Sequence, residues 1–195
     1  MGDYLDSASV RHAYLLHQGN FISFDVPGSI ETRGHAINNL GVIGGRFLDS
    51  NSVSHGYLLD HGAFTILNFP GATLTALQGM NDLGRVVGTY NDPAGNQHGF
   101  LLSAGNFTSI DFPGALDTTQ LFGITADGEI VGFYDDSNGV VHGFTVIAGN
   151  FSTVDFPGAF QTLATRENEA GQIVGSYNLA GQHGFLATPN PIQKP

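Results

Sequence analysis

The chain has 195 residues, of which 41% are hydrophobic, and its formal net charge at pH 7 is −11. Only 6 basic residues accompany 17 acidic ones, so the clustered Lys and Arg of a nucleic-acid or anionic-membrane binder are missing. The absence of cysteine excludes disulfides and thiolate metal sites, and no apolar run approaches the roughly 18 residues that membrane insertion requires.

The first predicted element is a short strand at Gly2–Leu5. The residues around it lack both the basic start and the apolar run of a signal peptide, so no signal peptide is recognised there. After it, the sequence becomes periodic, and a His-Gly-aromatic triplet or its variant recurs every 41 to 44 residues. The triplets begin at His12, His55, His98, His142 and His183.

Each repeat unit contains four short segments that are rich in β-branched and aromatic residues, which is typical of strands. Gly-containing turns join strand one to strand two, strand three to strand four, and strand four to the next strand one. Only strands two and three are joined by Pro-Gly, and proline ends ladder pairing. We therefore predict that each sheet is ordered three, four, one, two. In the unit that begins at His98 the strands are His98–Leu102, Phe107–Phe112, Thr118–Thr125 and Glu129–Tyr134.

Four-stranded meanders repeated about every 43 residues predict an all-β fold, a β-propeller of antiparallel blades whose strand three lines the central channel. The last predicted strand, His183–Ala187, brings the total to 18. Five four-stranded blades would leave two strand positions unfilled, whereas four blades would leave two strands without a place. We prefer five blades. A third alternative is an oligomer that exchanges its end strands.

The expected domain organisation is a single repeat-array propeller at residues 1–188, followed by a flexible proline-rich tail at residues 189–195. The complete repeat units are residues 12–54, 55–97, 98–141 and 142–182, and a partial copy stands at each end.

A histidine and a carboxylate or amide lie 13 residues apart in four units, and hairpin folding places them opposite each other. Such a dyad could serve acid–base chemistry or metal binding. A catalytic dyad is needed once, however, and not in every unit, so we predict structural cross-strand pairs. The pairs are His12 with Asp25, His55 with Asn68, His98 with Asp111, and His142 with Asp155.

Two further columns recur in register along the repeats. The threonine that opens strand three is predicted to bond the backbone through its hydroxyl. The aromatic residue of strand four is predicted to lie in the core between blades rather than to form a sugar platform. The columns are Thr32, Thr75, Thr119 and Thr162, and Tyr4, Phe47, Tyr90, Tyr134 and Tyr177.

No cofactor is predicted. The oxygen-rich loops Asp49–Ser52, Asn91–Gly95 and Asp135–Gly139 offer calcium as the weaker alternative, but none matches the EF-hand pattern. The chemistry of turns accounts equally well for their Asp, Asn and Gly residues.

Candidate binding residues are those that differ between copies at the centre of the propeller. Because strand three is innermost, its variable side chains would surround the channel or its mouth and could meet a carbohydrate or another polar small molecule. These residues are Arg33, His35, Gln78, Gln120, Thr165, Arg166 and Glu167. No linear motif identifies a catalytic residue.

Three motifs carry a family resemblance: His-Gly-Phe-Leu-Leu at 98–102, Phe-x-x-x-Asp-Phe-Pro-Gly-Ala at 107–115, and Asn-Asp-x-Gly-x-Val-Val-Gly-x-Tyr at 81–90. The repeat resembles the HAF family of probable extracellular bacterial repeats. The resemblance implies a propeller-like array and export to the periplasm or the cell exterior, and it supplies no catalytic residues. Ala13 and the Arg166-Glu167-Asn168 stretch depart from the family pattern.

Three functional hypotheses follow. The first is an extracellular, non-catalytic binding or scaffold propeller that recognises a glycan or another surface ligand. The second is a hydrolase or lyase with a site at the channel mouth that uses Arg33, His35, Arg166 and Glu167. The third is an assembly protein whose unpaired terminal strands complete a neighbouring copy, giving a homo-oligomer.

Overall fold

The computed structural model describes residues 1–189; residues 190–195, most of the predicted tail, lie outside the described part. The described chain is built from 18 β-strands, and within it no helix is long and apolar enough to cross a bilayer. The strands are β1 (Gly2–Leu5), β2 (Arg11–His17), β3 (Asn20–Phe24), β4 (Glu31–Ile37), β5 (Ile43–Leu48), β6 (Ser54–Asp60), β7 (Ala63–Leu67), β8 (Leu74–Met80), β9 (Val86–Asn91), β10 (Gln97–Ser103), β11 (Asn106–Ile110), β12 (Thr119–Ile124), β13 (Ile130–Asp135), β14 (Val141–Ile147), β15 (Asn150–Val154), β16 (Gln161–Glu167), β17 (Ile173–Asn178) and β18 (Gln182–Ala187).

The strands form antiparallel meanders in the predicted order of three, four, one, two. Three meanders are four-stranded: β4–β7, β8–β11 and β12–β15. Two are three-stranded, because β1–β3 lacks a strand three and β16–β18 lacks a strand two within the described residues. A single parallel pair, Val141 with Gln161, links the last two meanders. The fold is therefore propeller-like, although the first and last meanders are not joined by strand pairing.

The hairpin register pairs Leu102 with Phe107 and Phe100 with Ser109, and it brings His98 and Asp111 together as predicted. Strand two ends at Ile110, two residues earlier than predicted. The reason is that the amide of Phe112 leaves the ladder and donates to the hydroxyl of a buried threonine at the start of strand three. The proline that follows therefore lies in a turn, as its missing amide hydrogen requires.

Glycine in strand four makes room for the side chain and backbone of the two strands that flank it in the same sheet. A Cβ atom on Gly88 would lie 2.1 Å from the carbonyl oxygen of Ala76 and 2.8 Å from ring atoms of Phe100. The aromatic ring of strand one thus packs directly over the glycine backbone, which explains why both residue types recur in the repeat. The equivalent glycines are Gly45, Gly132 and Gly175.

Stacked aromatic rings fill the space between neighbouring meanders, as predicted. Phe69, which follows strand two, lies parallel to Tyr90 of the next meander at a centroid distance of 3.6 Å. Tyr90 in turn stacks on His98 at 5.0 Å. The hydroxyl of Thr75 accepts a 3.0 Å hydrogen bond from the Phe69 amide and thereby fixes the ring's position, as the threonine column predicted. The same stack recurs in Phe112–Tyr134–His142 and Phe156–Tyr177–His183.

Each strand three carries a one-residue β-bulge close to its end. A bulge leaves one residue out of the ladder, so its backbone groups become free to bond elsewhere. The innermost strands β4, β8, β12 and β16 all have this irregularity. The bulged residues are His35, Gln78, Phe122 and Thr165.

Candidate functional site at the channel mouth

The guanidinium of Arg166 joins all four innermost strands. Its Nη1 atom donates to the carbonyl oxygens of Phe122 at 2.8 Å and Thr165 at 2.7 Å. Its Nη2 atom donates to those of His35 at 3.1 Å and Gln78 at 3.3 Å. All four acceptors belong to the bulged residues, because the bulge releases their carbonyls from strand pairing.

This arrangement suits arginine better than any other residue. A planar guanidinium presents several N–H donors in fixed directions, whereas the lysine ammonium is a compact point charge. Four carbonyl oxygens that face one axis concentrate partial negative charge there. Arg166 neutralises that charge and closes the channel at this level.

A cavity of about 310 Å³ opens directly beside Arg166. Its polar lining comes from His35, Arg166 and Glu167, and part of its apolar lining from Met80, Phe122 and Ile124. Such a mixture of a few hydrogen-bonding groups with an apolar wall is typical of sites for small molecules.

The environment of His35 favours its neutral imidazole. Burial lowers the pKa of its imidazole, and the nearby Arg46 acts in the same direction. The Nδ1 atom lies 2.7 Å from the carbonyl oxygen of Leu77. Since a carbonyl only accepts, Nδ1 carries the proton, and Nε2 remains as a hydrogen-bond acceptor.

Glu167 is the most strongly perturbed acidic group at the mouth. Burial, together with repulsion from the nearby Glu129 and Glu169, raises its pKa to about 8. Its Oε2 atom is buried and has no hydrogen-bond partner among the described residues. At neutral pH the carboxyl group is therefore mainly protonated.

Two of the predicted channel residues are used elsewhere. Arg33 donates from Nε to Glu31 at 2.6 Å, and Arg46 donates to the same carboxylate at 3.1 Å. Gln120 donates its side-chain amide to Gln97. Arg33 thus bonds within its own strand and Gln120 bonds to the preceding meander, and neither residue lines the cavity.

The structure thus divides the seven predicted residues into three groups. It brings His35, Arg166 and Glu167 together in one cavity. Gln78 and Thr165 take part through their backbone carbonyls, and Arg33 and Gln120 do not take part. The apolar lining was missed because Met80, Phe122 and Ile124 resemble ordinary core residues in sequence.

The four histidine pairs are within hydrogen-bonding distance. The Nδ1-to-oxygen distances are 2.7 Å for His12–Asp25, 2.7 Å for His55–Asn68, 3.1 Å for His98–Asp111 and 2.7 Å for His142–Asp155. These pairs occupy separate meanders, so they cannot converge on one ligand.

Each of these histidines also approaches a second carboxylate, which sequence reasoning missed. The partner comes from the turn before strand one, and its Oδ2 atom lies 3.4 to 3.7 Å from Nε2. A constant spacing of six residues in the sequence was the available signal. The second partners are Asp6, Asp49, Asp92 and Asp136.

The loops considered for calcium use their carboxylates to form turns. Asp49 accepts the backbone amides of Asn51 at 2.8 Å and Val53 at 2.9 Å, and Asp136 accepts those of Asn138 and Val140. Within residues 1–189, no group of three or more His, Asp or Glu side chains is arranged to hold a metal ion.

Comparisons with known proteins place the chain by its fold. No family model matches the sequence, and no curated protein matches it. AofleA from Arthrobotrys oligospora is similar over 96% of this chain and 66% of its own, with 12% identity and a TM-score of 0.54. A mutant of AofleA is similar over 96% and 67%, with 13% identity and a TM-score of 0.53.

A third solved structure is a mutant of the Aleuria aurantia lectin in complex with alpha-methyl-L-fucoside. It is similar over 99% of this chain and 74% of its own, with 10% identity and a TM-score of 0.51. The chain thus spans about two thirds of the AofleA chains and about three quarters of the lectin. At these identities the likeness shows a shared fold.

Proposed function

We propose that the protein is a non-catalytic binding propeller that recognises a carbohydrate at the channel mouth. The observation that carries the proposal is the cavity of about 310 Å³ beside Arg166. It places donors, an imidazole acceptor and the half-buried ring of Phe122 around one small space. Sugars present hydroxyl groups and apolar C–H faces together, so both kinds of lining would be used.

The shared fold supports the class of ligand. A lectin crystallised with alpha-methyl-L-fucoside has the same arrangement over nearly the whole of this chain. Fold alone does not specify function. The position of the site is therefore inferred from the cavity, and the shared fold supports only the choice of a sugar as the class of ligand.

The wider assignment follows from the sequence patterns. We infer that residues 1–188 form one domain with five blade positions, two strand positions being open. Export of the protein is proposed on the resemblance to HAF repeats, and the acidic composition, with a formal charge of −11, agrees with partners other than nucleic acid.

A glycan array followed by calorimetry would test the proposal. Phe122→Ala keeps the backbone carbonyl that Arg166 uses but removes the aromatic wall, and it should weaken binding of the best sugar about tenfold. Phe160→Ala is the matched control, because Phe160 is exposed and does not line the cavity. An array without any signal above background, or equal affinities for the two variants, would refute the assignment.

A second candidate function rests on Glu167. A carboxyl group with a pKa of about 8 is suited to general acid catalysis near neutral pH. A glycosidase uses two carboxyl groups about 5 Å or more apart, and the acidic neighbour of Glu167 is Glu129, which raises its pKa by repulsion. Turnover of a panel of aryl glycosides that is lost in Glu167→Gln would favour this enzyme over the binding protein.

A further inference from the structure

Within residues 1–189, the first and last meanders each leave one strand position unfilled. In β1–β3 the open position is strand three, beside β1, and in β16–β18 it is strand two, beside β18. In the repeat, strands two and three follow each other directly and are joined by Pro-Gly. One continuous segment of the kind formed by residues 106–124 would therefore fill both positions.

On the β18 side, the surface that strand two would cover is open. His183 stacks on Tyr177 at 5.3 Å, as in the other meanders, but within residues 1–189 its imidazole has no carboxylate partner. A Cβ atom on Gly184 would come no closer than 3.8 Å to any atom. At the equivalent Gly99, a Cβ would lie 2.6 Å from the carbonyl oxygen of Ile110 in strand two.

On the β1 side, the aromatic stack is incomplete. Tyr4 is 42% exposed, whereas the equivalent Tyr90 is 9% exposed because Phe69 lies on its ring. A cavity of about 610 Å³ adjoins Tyr4 and is also lined by Tyr14 and Phe21. The ring that would cover Tyr4 is the phenylalanine of an Asp-Phe-Pro-Gly step.

We propose that the gap between β1–β3 and β16–β18 is a docking site for an extended polypeptide segment with the repeat's own chemistry. Its first strand pairs with the free edge of β18, and its aspartate bonds to His183. Its phenylalanine then stacks on Tyr4, and the strand after Pro-Gly pairs with β1. The occupant is a polypeptide segment that carries a strand, an Asp-Phe-Pro-Gly turn and a second strand, and it binds by adding strands to open sheet edges.

The internal repeats show why this occupant fits. Between β8–β11 and β12–β15, residues 106–124 make each of these contacts: strand pairing, the bond of Asp111 to His98, and the stack of Phe112 on Tyr134. The proposed occupant reproduces an interface that the chain already uses, so no new recognition chemistry is needed.

A fluorescently labelled peptide with the sequence of residues 105–125 would test the proposal against the full chain. Fluorescence anisotropy should show saturable binding. His183→Ala and Tyr4→Ala, on opposite sides of the gap, should each weaken it about tenfold. The matched control is His61→Ala, since His61 is exposed at a hairpin tip away from the gap. A peptide carrying Asp111→Ala and Phe112→Ala should bind at least tenfold more weakly than the unaltered peptide.

Three results would overturn the proposal. One is the absence of saturable binding to a protein whose circular dichroism is native. Another is a loss of affinity in only one of the two gap variants, because a single bridging segment requires both sides. The third is self-association in sedimentation velocity that excess peptide does not reverse, which would assign the gap to a second copy of the chain.

Discussion

The paired histidines differ in electrostatics although their geometry repeats. At His12 the hydrogen bond to Asp25 raises the pKa of the imidazole, and Asp6 adds to the effect. In the next unit Asn68 occupies the place of the aspartate and accepts the same hydrogen bond without a charge. The repeat therefore requires an acceptor at this position, whereas the negative charge is optional.

This distinction predicts that Asp25→Asn keeps the fold and lowers the pKa of His12. The charged imidazole loses its strongest stabilising partner, while the amide oxygen still accepts from Nδ1. A pKa raised above the ordinary 6.5 stabilises the folded state at low pH, and that stability is lost as the pH rises through the folded value. NMR titration of the imidazole C–H signals measures the shift, and an unchanged or higher pKa would contradict the explanation.

Glu167 should make the whole protein less stable as the pH rises. Because its pKa is raised from 4.5 to about 8, the folded state holds a proton that the unfolded state has released. The free energy of unfolding should then fall between these pH values, no more steeply than about 1.4 kcal/mol per pH unit, the limit for one proton.

The variant Glu167→Gln keeps a neutral hydrogen-bonding side chain and should flatten this decline. Urea unfolding at several pH values from 5 to 8 would measure it, with Asp127→Asn as the matched control, because Asp127 is exposed and is not among the groups that raise the pKa of Glu167. A decline that is equally steep in Glu167→Gln would show that other groups cause it.

At the scale of the strand, close approach of backbones decides where glycine is required. In the His-Gly-aromatic triplet of β10, Gly99 lies close to the backbone of strand two and to Leu121 of the next meander. Gly184 of β18 has neither neighbour within residues 1–189, although its triplet is also His-Gly-Phe. The requirement for glycine therefore comes from packing between strands and not from the backbone conformation of its own strand.

Gly99→Ala should consequently destabilise the protein by about 2 kcal/mol or more, because the new methyl group would lie 2.6 Å from a carbonyl oxygen and from Leu121. Gly184→Ala, at the same position of the motif, should change stability by less than about 0.5 kcal/mol. Urea unfolding of both variants tests the pair, and comparable losses would indicate an intrinsic need for glycine in the strand.

The strands were predictable because each repeats a local pattern of β-branched residues, turn glycines and proline. The register of the β10–β11 hairpin, and with it the pairing of His98 with Asp111, followed from the position of the turn at Gly105. The hydrogen bonds of Arg166 were not predictable, because they depend on bulges in four strands that are distant in sequence. Arg33 and Gln120 also lie on innermost strands, but their side chains bond to Glu31 and Gln97.

Across the whole molecule, Arg166 is the one described side chain that hydrogen-bonds all four innermost strands. Among residues 1–189, the main strand contacts of each meander are with its neighbours, as in other repeat arrays, where stability is a sum of local terms. Arg166 links β16, in the last meander, to β4, in the first complete meander, and it thereby adds a long-range contact to the array. It should therefore make unfolding more cooperative.

Replacing Arg166 by Met should destabilise the protein by about 2 kcal/mol and lower the cooperativity of unfolding, because four inward carbonyls lose their donor. Arg166→Lys should recover only part of the loss, since one ammonium cannot satisfy carbonyls on both sides of the channel. The matched control is Arg85→Met, which removes the same charge from a side chain without a hydrogen bond in the described chain. Urea unfolding followed by tyrosine fluorescence provides the free energies and m-values. If Arg166→Met and Arg85→Met were equally stable, the central contact would contribute nothing beyond its charge.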